Sequence, residues 1–600
     1  MVHAISSKLS GKKFLLILDD AWHDDLLDWE QFMVQVNCGT PGSNILLTTR
    51  DQKVAEAAKS RHIFNLEFLS EVESWDLFLE NSGLVEEDLD SEFIQVGKEV
   101  VNKCGGVPLA IKTLGGVLND RREINTWRAI KESDLWNIDN IKDRVFASLK
   151  LSYFHMPDHL KQCFTFCSIF SKGYEITKDH LIAQWIAYRF INPMNDELPE
   201  DIGSAYFDSL MKLRFLQDAW RNFYTYQLVY RMHDLIHDLT RQILQHEVMT
   251  SLRKNMTPNC ILRCRYLCLT SSTEKICRNL FDKVHSLYVS SGNPSFDKPI
   301  KWCCNVRSVV LDYTIYAPFP LFILKFEFLG YLKICNVSCM ELPEAISGCW
   351  NLQTLHVMHC KGFTGLPESI GKLKKLRTLE LLMVNELKSL PQSIGDCQDL
   401  RSLQLYFCHK LIEIPNNIGN IENLRVLDIV NSSCVYCQVQ EFIGKLRNLE
   451  RINLSGCHCL HDLPRTFSCR TLRNLNLSRT SITLLPPWVT LIGTLERIEL
   501  NLVELPQGIE NLRRLEVLNI NGCLKLRCIP SGFGQLTRLR WLGLFVIGSG
   551  GNDARISELE NLDMISGWLR IQNLKYIKDT ADCKKASLKK KKNIQSLTLN

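Results

Sequence analysis

The 600-residue chain has no uncharged apolar stretch of about 18 residues, the length a membrane-spanning helix needs, which argues against an integral membrane segment. It also lacks a strong charge of one sign. With 71 basic and 66 acidic side chains the net +5 is too small to argue for nucleic acid or a membrane surface. The first apolar run, Phe14–Leu18, is short and ends in Asp19–Asp20, so it does not read as the core of a secretory leader. None of the 24 cysteines forms a CxxC pair matched to a second pair or to spaced histidines, which disfavours a thiol-based metal centre. A chain of this size with a real core needs no disulfide staples. The scattered thiols therefore read as buried small hydrophobes in a reducing, cytoplasmic setting. Finally, no GxxxxGK[ST] phosphate loop occurs: Ser10–Gly11–Lys12–Lys13 has neither the upstream glycine nor the following hydroxyl.

What is present is a composition typical of globular proteins, 45% hydrophobic and 23% charged, and an internal repeat. From about residue 330 a unit of the form LxxLxLxxN/C recurs, and its anchoring prolines Pro343, Pro367, Pro391 and Pro415 each lie 24 residues from the last. Gln440 takes the proline position in the next unit, Pro464 restores the phase, and Pro486, Pro506 and Pro530 follow at varied spacing. This is the leucine-rich repeat pattern. Strand alternation turns Leu352, Leu355 and Val357 inward and Thr354, His356 and Met358 to the other face. One unit cannot bury its inward set alone, so stacking supplies the core. Cys360, Cys408, Cys457 and Cys523 hold the N/C position, where a side chain must satisfy backbone groups inside the turn, and they read as structural thiols. The outward residues line a concave face, with His356, Glu380, Tyr406, Asp428, Arg451 and Arg497 as candidate partner-binding residues. Their mixed charge suits a protein surface better than a polyanion. The basic run Lys589–Lys592 invites a nuclear or membrane-peripheral reading, but between repeat elements a solvated face fits better.

The N-terminal part carries a second signal. FLLILDDAW (14–22) reads as a buried strand ending in paired acids, and GSNILLTTRD (42–51) as a turn followed by a second strand ending at Arg50. Together they fit one βαβ unit of an open parallel sheet, in which ligands bind at the carboxyl ends of strands. Asp19, Asp20 and Arg50 sit there. An acidic pair can hold Mg²⁺ and polarise a water, and an arginine can neutralise a terminal phosphate. Residues 73–118 are largely helical by period, and the turn at Gly105–Gly106 places Pro108 at the start of a new helix. Residues 146–190 are dense in aromatics and fit a compact helical domain. A DNA-reading winged helix is disfavoured there, because five Lys/Arg face three Asp/Glu with no basic stripe. YRMHDLIHDLTRQI (230–243) reads as an amphipathic helix opening with Met232–His233–Asp234.

In this order the segments resemble the plant intracellular immune receptors with a nucleotide-binding domain and leucine-rich repeats. The matching motifs are FLLILDDAW, GSNILLTTR, CGGVPLAI, KQCFTFCSIFSKGYEITKDHLIAQWIA and MHDLIHDL. Trp22 and the CFTFCSIF segment are similar to the coiled-coil class of that family. The resemblance implies a multidomain fold: an α/β P-loop-type nucleotide-binding core without its phosphate loop (1–72), a helical subdomain (73–145), a winged-helix subdomain (146–245), a linker and repeat cap (246–300) and a leucine-rich-repeat solenoid (301–600). It further implies an ADP/ATP switch with Mg²⁺ that couples recognition of a pathogen effector or guarded host protein to self-association and defence. Carried over by position, Asp19 would bind Mg²⁺, Asp20 would assist hydrolysis and Arg50 would sense the γ-phosphate. Pro108 would pack near adenine, His233 would contact the β-phosphate and Asp234 would support His233.

The departures bear on activity. The phosphate loop and its lysine are missing from these 600 residues, and the chain reads as cut at both ends of the family pattern. Turnover by this polypeptide alone is not expected, so an autonomous ATPase is the weakest reading. The alternative to a switch is a binding module or decoy that presents the repeats and holds no nucleotide of its own.

Overall fold

A computed structural model describes residues 8–21, 24–36, 38–119, 123–137, 141–193, 197–222, 227–245, 247–249, 264–269, 283–290, 305–432, 439–577 and 579–600. Strands β1 (Leu15–Leu18) and β2 (Asn44–Leu47) pair in parallel, with Leu15 opposite Asn44 and Leu18 opposite Leu47. Helix α1 (Leu26–Val36) lies between them in the chain, which gives the expected βαβ unit, and α2 (Gln52–Ala57) follows with Asp51 as its cap. Strand β1 is not the buried strand its apolar run implies. Leu15, Ile17 and Leu46 are exposed, while their alternate neighbours Leu16, Ile45 and Leu47 are half-buried. Parallel sheets are normally covered on both faces; the described residues cover one. Trp22 lies outside the described residues.

Four helices form the next unit: α3 (Glu71–Ser82), α4 (Ser91–Lys103), α5 (Pro108–Leu118) and α6 (Ile124–Lys131). A capping box starts α3: the Ser70 hydroxyl accepts from the Glu73 N–H, and the Glu73 carboxylate accepts from the Ser70 N–H at 2.9 Å. Trp75, Phe78, Val100, Leu114 and Trp127 form its core. Helix α7 (Ile141–Phe154) crosses the boundary expected at 145/146 and serves both sides of it. Its Ala147 and Leu151 pack in the four-helix core, and its Val145 and Leu149 in the next one.

That next core is built by α8 (Asp158–Phe166), β3 (Ile176–Thr177), α9 (Lys178–Tyr188), α10 (Pro199–Lys212), β4 (Gln217–Arg221), β5 (Leu228–Arg231) and α11 (Asp234–Ile243). The strands pair antiparallel in the order β3-β5-β4, giving a winged helix. Residues 230–243 are therefore not one helix. Tyr230 pairs with both Ile176 and Asp218, so the segment is strand through Arg231, and α11 starts only at Asp234 with His233 as its N-cap.

A parallel sheet of 14 strands among the described residues makes the solenoid. It begins with β6 (Val248–Met249), β7 (Tyr266–Leu269) and β8 (Ser286–Val289), earlier than the expected start at 301. It continues through β9 (Ser308–Pro318), β10 (Tyr331–Ser338), β11 (Thr354–Met358), β12 (Thr378–Leu382), β13 (Ser402–Tyr406) and β14 (Val426–Val430). The later strands are β15 (Arg451–Asn453), β16 (Asn474–Asn476), β17 (Arg497–Glu499), β18 (Val517–Asn519) and β19 (Trp541–Leu542). A separate parallel sheet holds β20 (Leu544–Val546), β21 (Gly567–Gln572) and β22 (Ile594–Leu599). Leu352, Leu355 and Val357 are fully buried in the shared core, as alternation requires.

Pro343, Pro367, Pro391 and Pro415 each cap a five-residue 3₁₀ turn, with φ between −62° and −73°. Where that proline is missing, residues Val439–Ile443 form an α-turn instead. The repeat cysteines satisfy backbone carbonyls: the Cys457 thiol donates to Ile429 O at 3.0 Å and Cys523 to Leu500 O at 3.5 Å. Burial pushes the Cys360 and Cys408 thiols up to about 12, so they stay protonated donors. A left-handed residue interrupts β10 at Asn336 and follows β11–β16, at His359, Met383, Phe407, Asn431, Gly456 and Arg479. His359, Met383, Phe407, Asn431 and Gly456 each donate an N–H to a carbonyl of the following coil, at 2.8 to 2.9 Å.

Candidate functional site

The paired acids leave β1 where the backbone bends sharply. Asp20 has φ 53°, in the left-handed region where Asp is among the better tolerated side chains. Thr48, just beyond β2, holds both acids: its hydroxyl accepts from the Asp20 N–H at 2.8 Å and donates to Asp19 Oδ1 at 2.5 Å. Arg50 then reaches across. Its guanidinium donates to Asp20 Oδ1 at 2.9 Å and to Asp234 Oδ2, at the start of α11, at 2.7 Å. Burial works against the Arg50 charge, yet the bonds to Asp20 and Asp234 outweigh it and raise its pKa. His233 caps α11, its Nδ1 accepting from the Leu235 N–H at 3.2 Å. Burial holds its imidazole below the ordinary range, and the nearby Arg50 charge pushes the same way.

The structure thus brings Asp19, Asp20, Arg50, His233 and Asp234 to one locus, where the carboxyl ends of two parallel strands meet the winged helix. Asp234 is engaged with Arg50, and His233 is held as a cap. Pro108 heads α5, flanked by Val107 and Leu109, which pack on the winged-helix core. Its preceding turn is fixed by Leu69 N–H donating to Gly106 O at 3.0 Å. The donor set fits the charged end of a nucleotide: carboxylates suited to a divalent ion, a guanidinium and an imidazole suited to phosphate.

The concave face departs from the open surface the repeats imply. His356, Glu380, Tyr406 and Asp428 are 1–2% exposed. His356 and Glu380 are covered because α9 and α10 of the winged helix sit on β9–β12, whereas Tyr406 is buried beside Leu382 and Val430. Tyr188 O accepts from Arg307 at 3.0 Å, and Gln184 Oε1 accepts from the Ser308 hydroxyl at 3.4 Å. Glu200 takes a two-point contact from Arg377, both bonds at 2.6 Å, and His180 meets Glu380 at 2.7 Å. Further along, Asp428 accepts from the Tyr406 hydroxyl at 2.6 Å and from Arg451 at 2.8 Å. Arg497 pairs with Glu499 at 2.8 Å and stays partly exposed. Beyond the covered strands the face opens into a cavity of about 710 Å³, lined by Arg451, Asn453, Asn476, Arg497, Glu499 and Asn519, with Arg221 and Gln227 of the wing at its edge.

Sequence reasoning misses Thr48, His180, Glu200 and Arg377. Thr48 carries a local signal, since it directly follows the strand that pairs with the acids. Once the 24-residue phase is known, His356 and Glu380 are also readable as neighbours in one column. His180, Glu200 and Arg377 have no local signal, because they meet only through the packing of distant units.

Four segments match family models: residues 1–87 the NB-ARC domain, 169–240 the disease resistance protein winged helix domain, 321–504 a leucine-rich repeat region, and 556–600 the R13L1/DRL21 repeats. Among curated relatives, the disease resistance protein RGA2 of Solanum bulbocastanum is 35% identical over 244 residues, 40% of this chain and 25% of that protein. The putative disease resistance RPP13-like protein 1 of Arabidopsis thaliana is 36% identical over 234 residues, 39% of this chain and 22% of its own length. The putative disease resistance protein At3g14460 of Arabidopsis thaliana is 28% identical over 383 residues, 60% of this chain and 26% of its length. The matched part of the chain thus spans about a quarter of the length of these three relatives. Among solved structures, the leucine-rich-repeat protein LIC12759 of Leptospira interrogans overlaps 50% of this chain and 74% of its own, at 23% identity and a TM-score of 0.41. Among the described residues no helix is long and apolar enough to cross a membrane.

Proposed function

We propose that this chain, a member of the plant disease resistance family that joins an NB-ARC domain to leucine-rich repeats, works as a nucleotide-governed switch in pathogen recognition. The observation that carries the reading is Arg50, which ties the end of β2 to Asp20 and to Asp234 of the winged helix. A group placed there feels both units at once. ADP or ATP with Mg²⁺ is the ligand this reading assigns, in keeping with a nucleotide-binding family. Asp19 and Asp20 would hold the ion, Arg50 and His233 the phosphates, and Pro108 the side nearest the base. The bound ion would supply charge neutralisation at the phosphates. The residues' own part is to orient that ligand and to change partners when it changes.

Arg50 cannot bind a terminal phosphate and keep both carboxylates with the same donors. A triphosphate would therefore compete with Asp234 and loosen the winged helix from the strand ends. The winged helix in turn covers His356 and Glu380, so its release would expose the concave face to a protein partner. Calorimetric titration of the chain with ADP and Mg²⁺ tests this. Saturable binding that weakens at least tenfold in His233→Ala supports the switch. No saturable binding, or binding untouched in both His233→Ala and Arg50→Ala, would leave only a repeat-surface module.

A further inference from the structure

Strand register creates a cluster that the nucleotide reading does not use. His356 on β11 and Glu380 on β12 are direct cross-strand partners on the concave face. Neighbouring strands lie about 4.8 Å apart, so their side chains converge. Helix α9 lowers His180 onto the same point. His180 Nε2 lies 2.7 Å and His356 Nδ1 2.6 Å from one oxygen, Glu380 Oε2, and the two rings are 4.1 Å apart. One donor atom from each of the three residues falls within 4.8 Å of the others.

The contacts to Glu380 Oε2 do not account for the whole cluster. His356 Nε2 and Glu380 Oε1 are buried without a hydrogen-bond partner, with the His356 side chain 2% and that of Glu380 1% exposed. Buried polar atoms are nearly always paired, and an exception calls for an explanation, an unseen ion among them. Lys333, the register neighbour of His356 on β10, instead donates to the Tyr174 hydroxyl at 3.4 Å.

We propose that His180, His356 and Glu380 form a site for a divalent ion of the zinc class that clamps the winged helix onto the repeats. Two imidazoles and one carboxylate match the ligand preference of Zn²⁺ rather than Mg²⁺ or Ca²⁺. Distances of about 2.0–2.2 Å to each donor would need the three side chains to part slightly. His180 and His356 border a cavity of about 240 Å³, with Thr354, Gln404, Glu200 and Arg377 also in its lining, which leaves room for a water beside the cluster. The ion would join two ligands from the solenoid to one from the winged helix. It would thereby favour the covered state of the concave face, independently of any nucleotide.

The test uses the whole chain, stripped with a chelator and titrated with Zn²⁺ and, separately, Co²⁺. The expected result is one equivalent of Zn²⁺, weakened at least about tenfold in both His180→Asn and Glu380→Gln. Co²⁺ should give a visible spectrum of nitrogen and oxygen ligation without thiolate charge transfer, which separates this site from the 24 cysteines. Added Zn²⁺ should also slow hydrogen exchange in α9 of the wild type and not of His180→Asn. Far-ultraviolet circular dichroism checks that both variants fold. Absence of stoichiometric uptake, equal affinity in both folded variants, or a thiolate spectrum overturns the proposal.

Discussion

Arg50 and Asp234, 184 positions apart in the chain, meet at 2.7 Å between the strand ends of the first unit and the opening turn of α11. Both side chains are partly open to solvent, 36% and 16% exposed, so the contact is modest in energy and sensitive to ionic strength. Asp234→Asn should weaken coupling between the two units by about 0.5–1 kcal/mol. Hydrogen exchange in β2 and α11 should quicken at low salt, with a smaller difference from wild type at high salt. Equal exchange in the two proteins at low salt would refute a coupling role.

Acid should weaken the winged helix. His237 on α11 is buried with its Nε2 2.8 Å from Phe170 O, and burial holds its pKa below the ordinary 6.5, with Arg241 and Lys172 adding to the shift. A lowered folded pKa means the unfolded chain takes up the proton first. This contribution is complete above the unfolded value of about 6.5 and is lost as pH falls toward the folded value. Urea midpoints should therefore drop between neutral pH and about pH 5, and less steeply in His237→Gln. Equal slopes would show that other groups control the dependence.

The turn before α5 depends on Gly106. Its φ is +72°, and a Cβ there would meet Leu69 O at 2.5 Å. Gly106→Ala should cost at least about 1–2 kcal/mol from the left-handed backbone alone, with further cost where the 68–69 segment must shift. Thermal unfolding of the chain would show it as a lowered midpoint of the transition that includes the four-helix unit.

On the concave face, Arg377→Gln removes the two-point contact with Glu200. Glu200 is 37% exposed, so solvent screens part of the effect and about 1 kcal/mol is expected. The signature is local: faster exchange in α10 with the solenoid strands unchanged. A uniform loss across the repeats would mean that Arg377 supports the solenoid itself.

The parts legible in sequence are those that local physics determines. Proline spacing set the 24-residue phase of the coils, alternation placed Leu355 inward and His356 on the concave face, and the thiols at Cys457 and Cys523 meet carbonyls as a turn demands. Asp20, Arg50 and Asp234 are recognisable by motif, yet their ion pairs depend on how separate units dock. The same limit hid the covered concave face, since helical period in α9 marks an apolar side without naming the surface that receives it. It also hid β7 and β8, whose short apolar runs YLCL and SLYV lack the proline that flags later coils. Tyr230 and Arg231 misread as helix because pairing with β3 and β4 overrides their local pattern.

The left-handed residues that hand an N–H from one coil to the next impose a rule on the solenoid's length. His359, Met383, Phe407 and Asn431 recur every 24 residues, in step with the prolines. Excising or duplicating one whole 24-residue unit would rejoin the chain in phase, each donor again facing a carbonyl. Losing about half a unit would put donors opposite side chains and strand the Leu columns on the wrong face. The solenoid can therefore grow or shrink only in whole coils, and each added coil would extend the concave face by one strand spacing, about 4.8 Å.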